Sequence, residues 1–331
     1  MNGQLKNGQL TMRKLVIIST ALLLSMGAVA QKDTLIKKLD SLSKKNDSTG
    51  GQVNNISKEA YNEETKITGR TYFTLLWSTI KQEYTKPFHT TKKEWLYFGA
   101  FAGGVALLTT VDRPIQRQAL KLRNNSPAVA NIGKYISASG GAGETITLSA
   151  IGLYGFLAKN TKIKTTTLLA SQAYITSALV ESTLKFLFGR TRPSFYNPDE
   201  QAYPKFLGPF GNTSRDYSGA KSNSSFPSGH ATAAFAAATV YAMEYKKTKW
   251  VPILSYSAAS LIALSRITEN KHWTTDILVG SVLGYFSGRH VVNNYHRYAK
   301  LKAPQQPKNS VTFNLNYNWD HFEPGLVWKW R

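Results

Sequence analysis

Six charge-free runs, rich in Ala, Leu, Ile, Val and Gly, dominate the middle of the chain. They contain few turn residues, which is typical of helices that are buried on most sides. The pattern therefore predicts an all-α fold built as a six-helix bundle. The runs are Leu96–Val111, Ile146–Ala158, Thr165–Val180, Gly229–Met243, Val251–Ser265 and Ile277–Gly288.

The amino-terminal region has the pattern of an export signal. Arg13 and Lys14 precede an apolar run over residues 15–24, and small residues follow up to position 30. This order predicts a signal peptide over residues 1–30, with a single membrane anchor as the alternative. Residues 31–90 are then expected to be a polar lead-in with one short interfacial helix.

The carboxyl-terminal region changes to period-two alternation. Apolar residues from Val311 to Trp319 alternate with Thr and Asn, which is typical of a half-buried strand, and Pro324-Gly325 predicts the turn before a second strand. The predicted organisation is thus a helical domain over residues 91–300, followed by a linker and a small C-terminal β-hairpin over 301–331.

Charge and cysteine content narrow the possible partners. The 331 residues include 41 Lys and Arg, 19 Asp and Glu and no Cys, for a formal net charge of +22. Disulfides, thiolate metal sites and Cys nucleophiles are therefore excluded. The positive charge favours anionic partners, and export argues against nucleic acid. We expect an anionic lipid phosphate substrate and a membrane surface, with no obligate protein partner evident.

Two segments have the residues of an anion site. Lys185 and Arg192 are seven residues apart, so they share one face of a helix that the following proline would end. Ser228 can cap the next Ala-rich helix, and Gly229 lets an anion approach its free backbone N–H groups. Arg190, beside these positions, is interpreted only as part of a general positive field.

A third segment adds a histidine and a carboxylate. His272 and Asp276 are four residues apart, close enough for the carboxylate to orient the imidazole. Arg266 supplies a third cation, and His230 follows Gly229. One histidine can attack phosphorus and the other can protonate the leaving oxygen, while the cations hold the phosphate oxygens. The set supplies what hydrolysis of a phosphate ester requires, with no metal or cofactor.

The order and spacing of these motifs resemble the type-2 phosphatidic acid phosphatase/vanadium haloperoxidase superfamily. The resemblance covers about residues 95–295 and implies a helical bundle with the site at one end. The matching motifs are Lys185-x6-Arg192-Pro193, Pro227-Ser228-Gly229-His230 and Ser265-Arg266-x5-His272-x3-Asp276.

The resemblance also implies a role for each site residue. His272 would be the nucleophile that forms a phosphohistidine, and Asp276 would fix its tautomer. His230 would protonate the leaving group and then activate water. The implied phosphate ligands are Lys185, Arg192, Ser228, Gly229 and Arg266.

The resulting hypothesis is a metal-independent phosphatase of a lipid phosphate or diphosphate, such as phosphatidate, a polyprenyl diphosphate or a lipid A phosphate. Three alternatives stay open. The first is a soluble periplasmic acid phosphatase of broad specificity, because the apolar runs are short for membrane spans. The others are a vanadate haloperoxidase and a non-catalytic lipid-binding protein.

If all six runs cross a bilayer, the lysine clusters and the motif positions predict opposite sides of the membrane for the site. A cleaved signal peptide and three crossings would place the site in the cytoplasm, whereas the lysines after the second and fourth runs mark the other end as cytoplasmic. The conflict disappears if Ile146–Ala158 does not cross, if residues 72–80 add a crossing, or if nothing crosses. We expect an envelope protein with an outward-facing, periplasmic site.

Overall fold

The computed structural model describes residues 67–196, 202–211, 214–215, 221–302, 310–318 and 321–329. The predicted signal peptide, the lead-in up to residue 66 and linker residues 303–309 lie outside the described residues. The expectations for those segments stay predictions.

Helices make up most of the described chain, and the all-α prediction is confirmed. The predicted number of six helices is wrong, because helices that carry charges give no charge-free run. Within the described ranges there are nine: α1 (Gly69–Thr85), α2 (Lys92–Leu108), α3 (Asp112–Asn125), α4 (Pro127–Ser139), α5 (Ala142–Leu157), α6 (Thr161–Phe188), α7 (Gly229–Glu244), α8 (Trp250–Thr268) and α9 (Thr274–Lys302). A 3-10 turn joins α2 to α3, so that they continue as one 34-residue helix.

Local sequence signals explain where several helices begin and end. Thr91 and Glu94 form a capping box at the start of α2, which satisfies backbone donors that the helix leaves open. Gly189 ends α6 with a positive φ of 53°, a conformation that favours glycine. This ending turns the chain back over the last turn of α6, where Lys185 lies.

Helix α7 is the centre of the bundle and packs against α6, α8 and α9. Its alanines are almost all buried, and Ala236 and Val240 join Leu169 and Val291 in the largest apolar cluster. Glycines on α9 allow a close approach to α7, since a Cβ at Gly288 would lie 2.5 Å from the Ala236 carbonyl oxygen. Small side chains thus fix the separation of the two helices that carry His230 and Asp276.

Two strands lie at the carboxyl terminus, β1 (Ser310–Asn318) and β2 (His321–Lys329), paired antiparallel. Asn318 pairs with His321 and Leu315 pairs with Pro324. The turn predicted at Pro324-Gly325 is therefore wrong, because the chain reverses earlier, between Asn318 and His321. Each strand of a two-stranded sheet has a free edge, and an edge tolerates a proline without an N–H.

Large apolar side chains cover much of the outer surface. Helix α2 has no buried residue, and Trp95, Leu96 and Phe98 are about half or more exposed. Among the described helices, Lys92–Asn125 and Trp250–Thr268 are long and apolar enough to cross a membrane by length and composition. Exposed apolar surfaces of this kind indicate contact with a membrane or another apolar partner.

Candidate active site

The three motif segments meet at one end of the bundle. Lys185 lies in the last turn of α6, Arg266 in the last turn of α8, and Asp276 in the first turn of α9. The Ser228 backbone N–H donates to the Asp276 carbonyl at 3.0 Å, which ties the start of α7 to the start of α9. Arg192 Nη1 lies 3.5 Å from His272 Nε2, which ties the first motif to the third.

The His272 ring is buried and has a defined tautomer. Its Nδ1 lies 2.8 Å from the Ser225 carbonyl oxygen, which can only accept, so Nδ1 carries the proton. Nε2 is left with its lone pair on the side of Arg192. Burial, together with the positive charges of Arg192, Lys185 and Arg266, holds the pKa of His272 well below its usual range. The ring is therefore neutral at physiological pH, with a nucleophilic nitrogen beside a cation.

Asp276 does not make the hydrogen bond to His272 that the sequence predicts. Its Oδ2 lies 3.6 Å from Nδ1, and both carboxylate oxygens have nearer partners. Oδ2 accepts from the Ser225 hydroxyl at 2.5 Å and from the Trp273 N–H at 2.9 Å, and Oδ1 accepts from Arg190 at 2.5 Å. Asp276 thus fixes Ser225, and the backbone carbonyl of Ser225 orients the imidazole of His272.

The three predicted cations are each held by a group that sequence reasoning did not single out. Glu181, one turn before Lys185 on α6, forms a salt bridge with it. Arg266 donates to the Ser137 hydroxyl on α4. Arg192 donates to the hydroxyl and carbonyl oxygens of Ser224 and to the carbonyl of Lys271. These contacts hold the charges in place around the His272 side of the site.

The start of α7 differs from the prediction in one respect. Ser228 occupies the N-cap position, but its side chain does not cap the helix. Its hydroxyl is buried and has no hydrogen-bond partner among the described residues. A Cβ at Gly229 would lie 2.9 Å from Glu181 Oε1 and 3.4 Å from Lys185 Nζ, so the Glu181–Lys185 pair lies directly against the start of α7. A buried, unsatisfied hydroxyl at a helix N-terminus is suited to an anion.

His230 lies under the junction between α4 and α5. A Cβ at Gly140 would lie 2.5 Å from His230 Cδ2, and one at Gly141 would lie 3.3 Å from His230 Nε2. Only residues without a side chain fit there, and Gly141 also has a φ of 62°. The adjacent glycines between two helical segments are the sequence signal that could have identified this contact.

Sequence reasoning also missed a buried charged network beneath His272. Arg190 is fully buried between Asp276 and Asp112, and its Nη2 lies 2.6 Å from Asp112 Oδ2. Asp112 opens α3, 78 residues before Arg190, and no spacing rule connects the two. Burial raises the pKa of Asp276, while the charge of Arg190 and the hydrogen bond from Ser225 act in the opposite direction.

No group of three His, Asp or Glu side chains within the described ranges could hold a metal ion. The expectation of a metal-free reaction remains a prediction.

Comparison with known proteins shows similarity over part of the chain. Residues 161–300 match the family model of the PAP2 superfamily. Lipid A 1-phosphatase of Porphyromonas gingivalis is 42% identical over 65 residues, which are 19% of this chain and 15% of that relative. The alignment thus spans a small part of the relative's length.

Two solved structures are similar at low identity. The crystal structure of Aquifex aeolicus LpxE is 22% identical and covers 53% of this chain and 93% of its own, with a TM-score of 0.39. The transmembrane PAP2 type phosphatidylglycerolphosphate phosphatase of Bacillus subtilis is 20% identical and covers 64% and 96%, with a TM-score of 0.42. All eight predicted site residues lie inside residues 161–300, the segment that is similar to the PAP2 superfamily.

Proposed function

We propose that the chain is a phosphatase that hydrolyses a lipid phosphate through a phosphohistidine at His272. The observation that carries the proposal is the state of that imidazole. Its Nδ1–H is bound to the Ser225 carbonyl, and its free Nε2 lies 3.5 Å from the Arg192 guanidinium. A neutral nitrogen nucleophile beside a phosphate-binding cation is the arrangement that in-line attack on phosphorus requires.

In the first step the Nε2 lone pair of His272 attacks phosphorus, and the ester P–O bond breaks. The leaving oxygen takes its proton from His230, which must enter the reaction as the imidazolium. Burial and the charges of Arg266, Lys185 and Arg192 lower the pKa of the free ring to about 4, and the charge of a bound phosphate offsets those cations. The products are an alcohol and His272 with an N–P bond. In the second step His230 removes a proton from water, the water oxygen bonds to phosphorus, and the N–P bond electrons return to Nε2. Inorganic phosphate leaves and both rings regain their starting states.

Lys185, Arg192 and Arg266 would neutralise the phosphate oxygens, and the Ser228 hydroxyl with the Gly229 N–H would donate to them. Such fixed donors stabilise charge that develops in the transition state without reorganising. Two of the cations are held mainly by neutral oxygens, since Arg192 contacts Ser224 and Arg266 contacts Ser137.

The geometry of α6 supports an outward-facing site at a membrane surface. Lys164 and Lys185 are 21 residues apart on this continuous helix, which corresponds to about 31 Å at 1.5 Å per residue. That length is close to the hydrocarbon thickness of a bilayer, roughly 30 Å, although α6 itself is not among the described helices apolar enough to span one. The two lysine clusters lie at the end of the bundle opposite the site, and positive charge marks the cytoplasmic end. The lysines are Lys159, Lys162, Lys164, Lys246, Lys247 and Lys249.

Lipid A phosphate is the first substrate to test, because one sequence relative is a lipid A 1-phosphatase. Phosphatidate and a polyprenyl diphosphate are the next, as the other lipid phosphates expected from the sequence. In each case the apolar exposed faces of α2 and α8 would place the site next to the lipid that carries the phosphate.

A soluble periplasmic phosphatase is the second candidate, and one observation favours it. Only two of the described helices are long and apolar enough to span a bilayer. Alkaline extraction of membranes separates the two candidates, because a membrane-spanning protein stays in the pellet and a peripheral one is released.

The test of the proposed function is phosphate release by the purified full-length protein in detergent. The panel is lipid A, phosphatidate, phosphatidylglycerol phosphate, a polyprenyl diphosphate and a soluble aryl phosphate. We expect turnover of at least one lipid phosphate and loss of that turnover in His272→Ala. Peroxide-dependent bromide oxidation with vanadate, or lipid binding without turnover of any substrate, would contradict the proposal.

A further inference from the structure

The buried network around Arg190 holds the turn that carries the proposed nucleophile. Arg190 comes directly after the glycine that ends α6, and its side chain is 0% exposed. One nitrogen, Nη1, donates to Asp276 Oδ1 at 2.5 Å and to Thr275 Oγ1 at 2.7 Å. The other, Nη2, donates to Asp112 Oδ2 at 2.6 Å. A planar guanidinium presents its donors in a rigid fork, which suits a bridge between two carboxylates.

Asp112 holds the same turn from the opposite side. Its Oδ1 accepts from the Thr275 N–H at 2.9 Å, and its Oδ2 accepts from the Thr275 hydroxyl at 2.6 Å. Thr275 and Asp276 are therefore fixed by four contacts from Asp112 and Arg190. Asp276 in turn holds the Ser225 hydroxyl, and the carbonyl of Ser225 fixes the tautomer of His272.

The network also has a net charge. Two carboxylates and one guanidinium leave one negative charge, in a place where all three side chains are fully buried. N-phosphorylation converts a neutral imidazole into a ring with a positive charge. A fixed negative charge beneath the ring stabilises that state more than it stabilises the free enzyme, and a buried site screens it little.

We propose that Asp112 and Arg190 are positioning residues for His272, acting through Thr275 and Asp276. The inference rests on the proposed phosphatase activity. Neither residue reaches the phosphate, so they act on the rate of the chemical step and leave phosphate binding unchanged.

The test compares two conservative variants in the full-length enzyme. Asp112→Asn keeps the side-chain shape and removes one charge, and Thr275→Val removes only the hydroxyl that bridges Asp112 and Arg190. We expect kcat per folded enzyme to fall on the order of 10- to 100-fold in Asp112→Asn and several-fold in Thr275→Val, since small displacements of a catalytic group have effects of this size. KM and the inhibition constant of inorganic phosphate should stay within about twofold, because the phosphate ligands are untouched.

Glu244→Gln is the matched control. Glu244 is a buried carboxylate bound to His296, at 2.8 Å, and it lies 14 residues after His230 on α7, or about 21 Å along the helix. The same carboxylate-to-amide change there should lower the melting temperature without changing kcat. This control separates a general cost of disturbing a buried ion pair from a specific effect on the nucleophile.

A double-variant cycle tests the path through Asp276. If Asp112 acts through Asp276, then Asp112→Asn should slow Asp276→Asn by less than twofold, although it slows the wild type by 10-fold or more. Full additivity of the two effects would overturn the proposed path.

The failures of the two proposals are distinguishable. A wild-type enzyme without turnover ends the proposed function. An active wild type with unchanged kcat in folded Asp112→Asn and Thr275→Val ends the positioning role alone. If Asp112→Asn does not fold, Thr275→Val decides the question, because it keeps every charge of the network.

Discussion

Buried charged side chains have different kinds of partners at the two ends of the bundle. At the end opposite the site, Glu244 and His296 form a buried hydrogen bond between α7 and α9. At the site end, Arg192 and Arg266 are held mainly by hydroxyl and carbonyl oxygens, and one negative charge remains in the Arg190 network beneath His272. The comparison teaches that the first arrangement joins two helices, whereas the second gathers cations around an imidazole, where they can bind a reacting anion.

Removing the nucleophile should cause the largest loss of activity at the site end. His272→Ala should lower kcat by about three orders of magnitude or more, since no other group can form the N–P bond. Circular dichroism and the melting profile should stay near those of the wild type. Turnover within 10-fold of the wild type in phosphate-release assays would refute the assignment.

Removing one cation should have the next largest effect. Lys185→Met leaves Glu181 as an uncompensated buried carboxylate at the phosphate site, so kcat/KM should fall roughly 100- to 1,000-fold. The double variant Glu181→Gln/Lys185→Met removes that repulsion and should recover part of the loss. Equal activities of the single and double variants would contradict the role assigned to this pair.

The pH dependence of kcat/KM in the wild type and in these variants tests the electrostatic account of the site end. Burial and three nearby cations keep the pKa of His272 low, so the nucleophilic form of this ring persists well below pH 6.5. The pKa of His230 is lowered to about 4, so its acid form becomes rarer as pH rises, and wild-type kcat/KM should be highest in acidic solution and decline toward alkaline pH. The unfolded chain binds the His272 proton at a higher pH than the folded chain does, so the His272 contribution to stability is lost as pH falls. Loss of the Lys185 charge should move the activity profile to higher pH, and a shift to lower pH would contradict the electrostatic account.

Ser228→Ala is expected to weaken substrate binding without lowering the stability of the fold. The hydroxyl is buried without a partner in the described structure, so its removal should leave the melting temperature unchanged or raise it slightly. Substrate loses one donor, and KM should rise several-fold. A marked loss of stability would mean that the hydroxyl already serves the fold.

The smallest effect on activity should come from the opposite end. Glu244→Gln weakens the hydrogen bond with His296 and should cost about 1–3 kcal/mol of stability, the range for a buried polar group that loses its partner. Activity at a temperature where the variant is folded should equal that of the wild type. A large loss of kcat would show that the two ends are coupled.

The sequence predicted the motif segments because their information is local. A helix face, a helix start and an i, i+4 pair can be recognised from spacing alone, and the structure brings those segments into contact. Asp112 could not be found this way, because it meets Arg190 and Thr275 only through the packing of α3 against the start of α9. The roles of the site residues remain predictions.

Other differences between the predicted and the observed structure have similar physical reasons. Helix α3 is strongly charged, so a search for charge-free runs misses it. Asp276 has the predicted spacing to His272, but spacing does not show that Arg190, Ser225 and Trp273 take its oxygens. The turn between β1 and β2 was misplaced because Pro-Gly is a strong turn signal that an edge strand can override.

The most direct test is to trap the covalent intermediate. The enzyme is mixed rapidly with a labelled lipid phosphate, quenched in alkali, in which phosphohistidine survives, and digested for mass spectrometry. The account predicts a phosphoryl group on His272 that is lost on acid treatment and is absent from His272→Ala. Turnover by the wild type with the label on another residue, or with no label on the enzyme at any quench time, would contradict it.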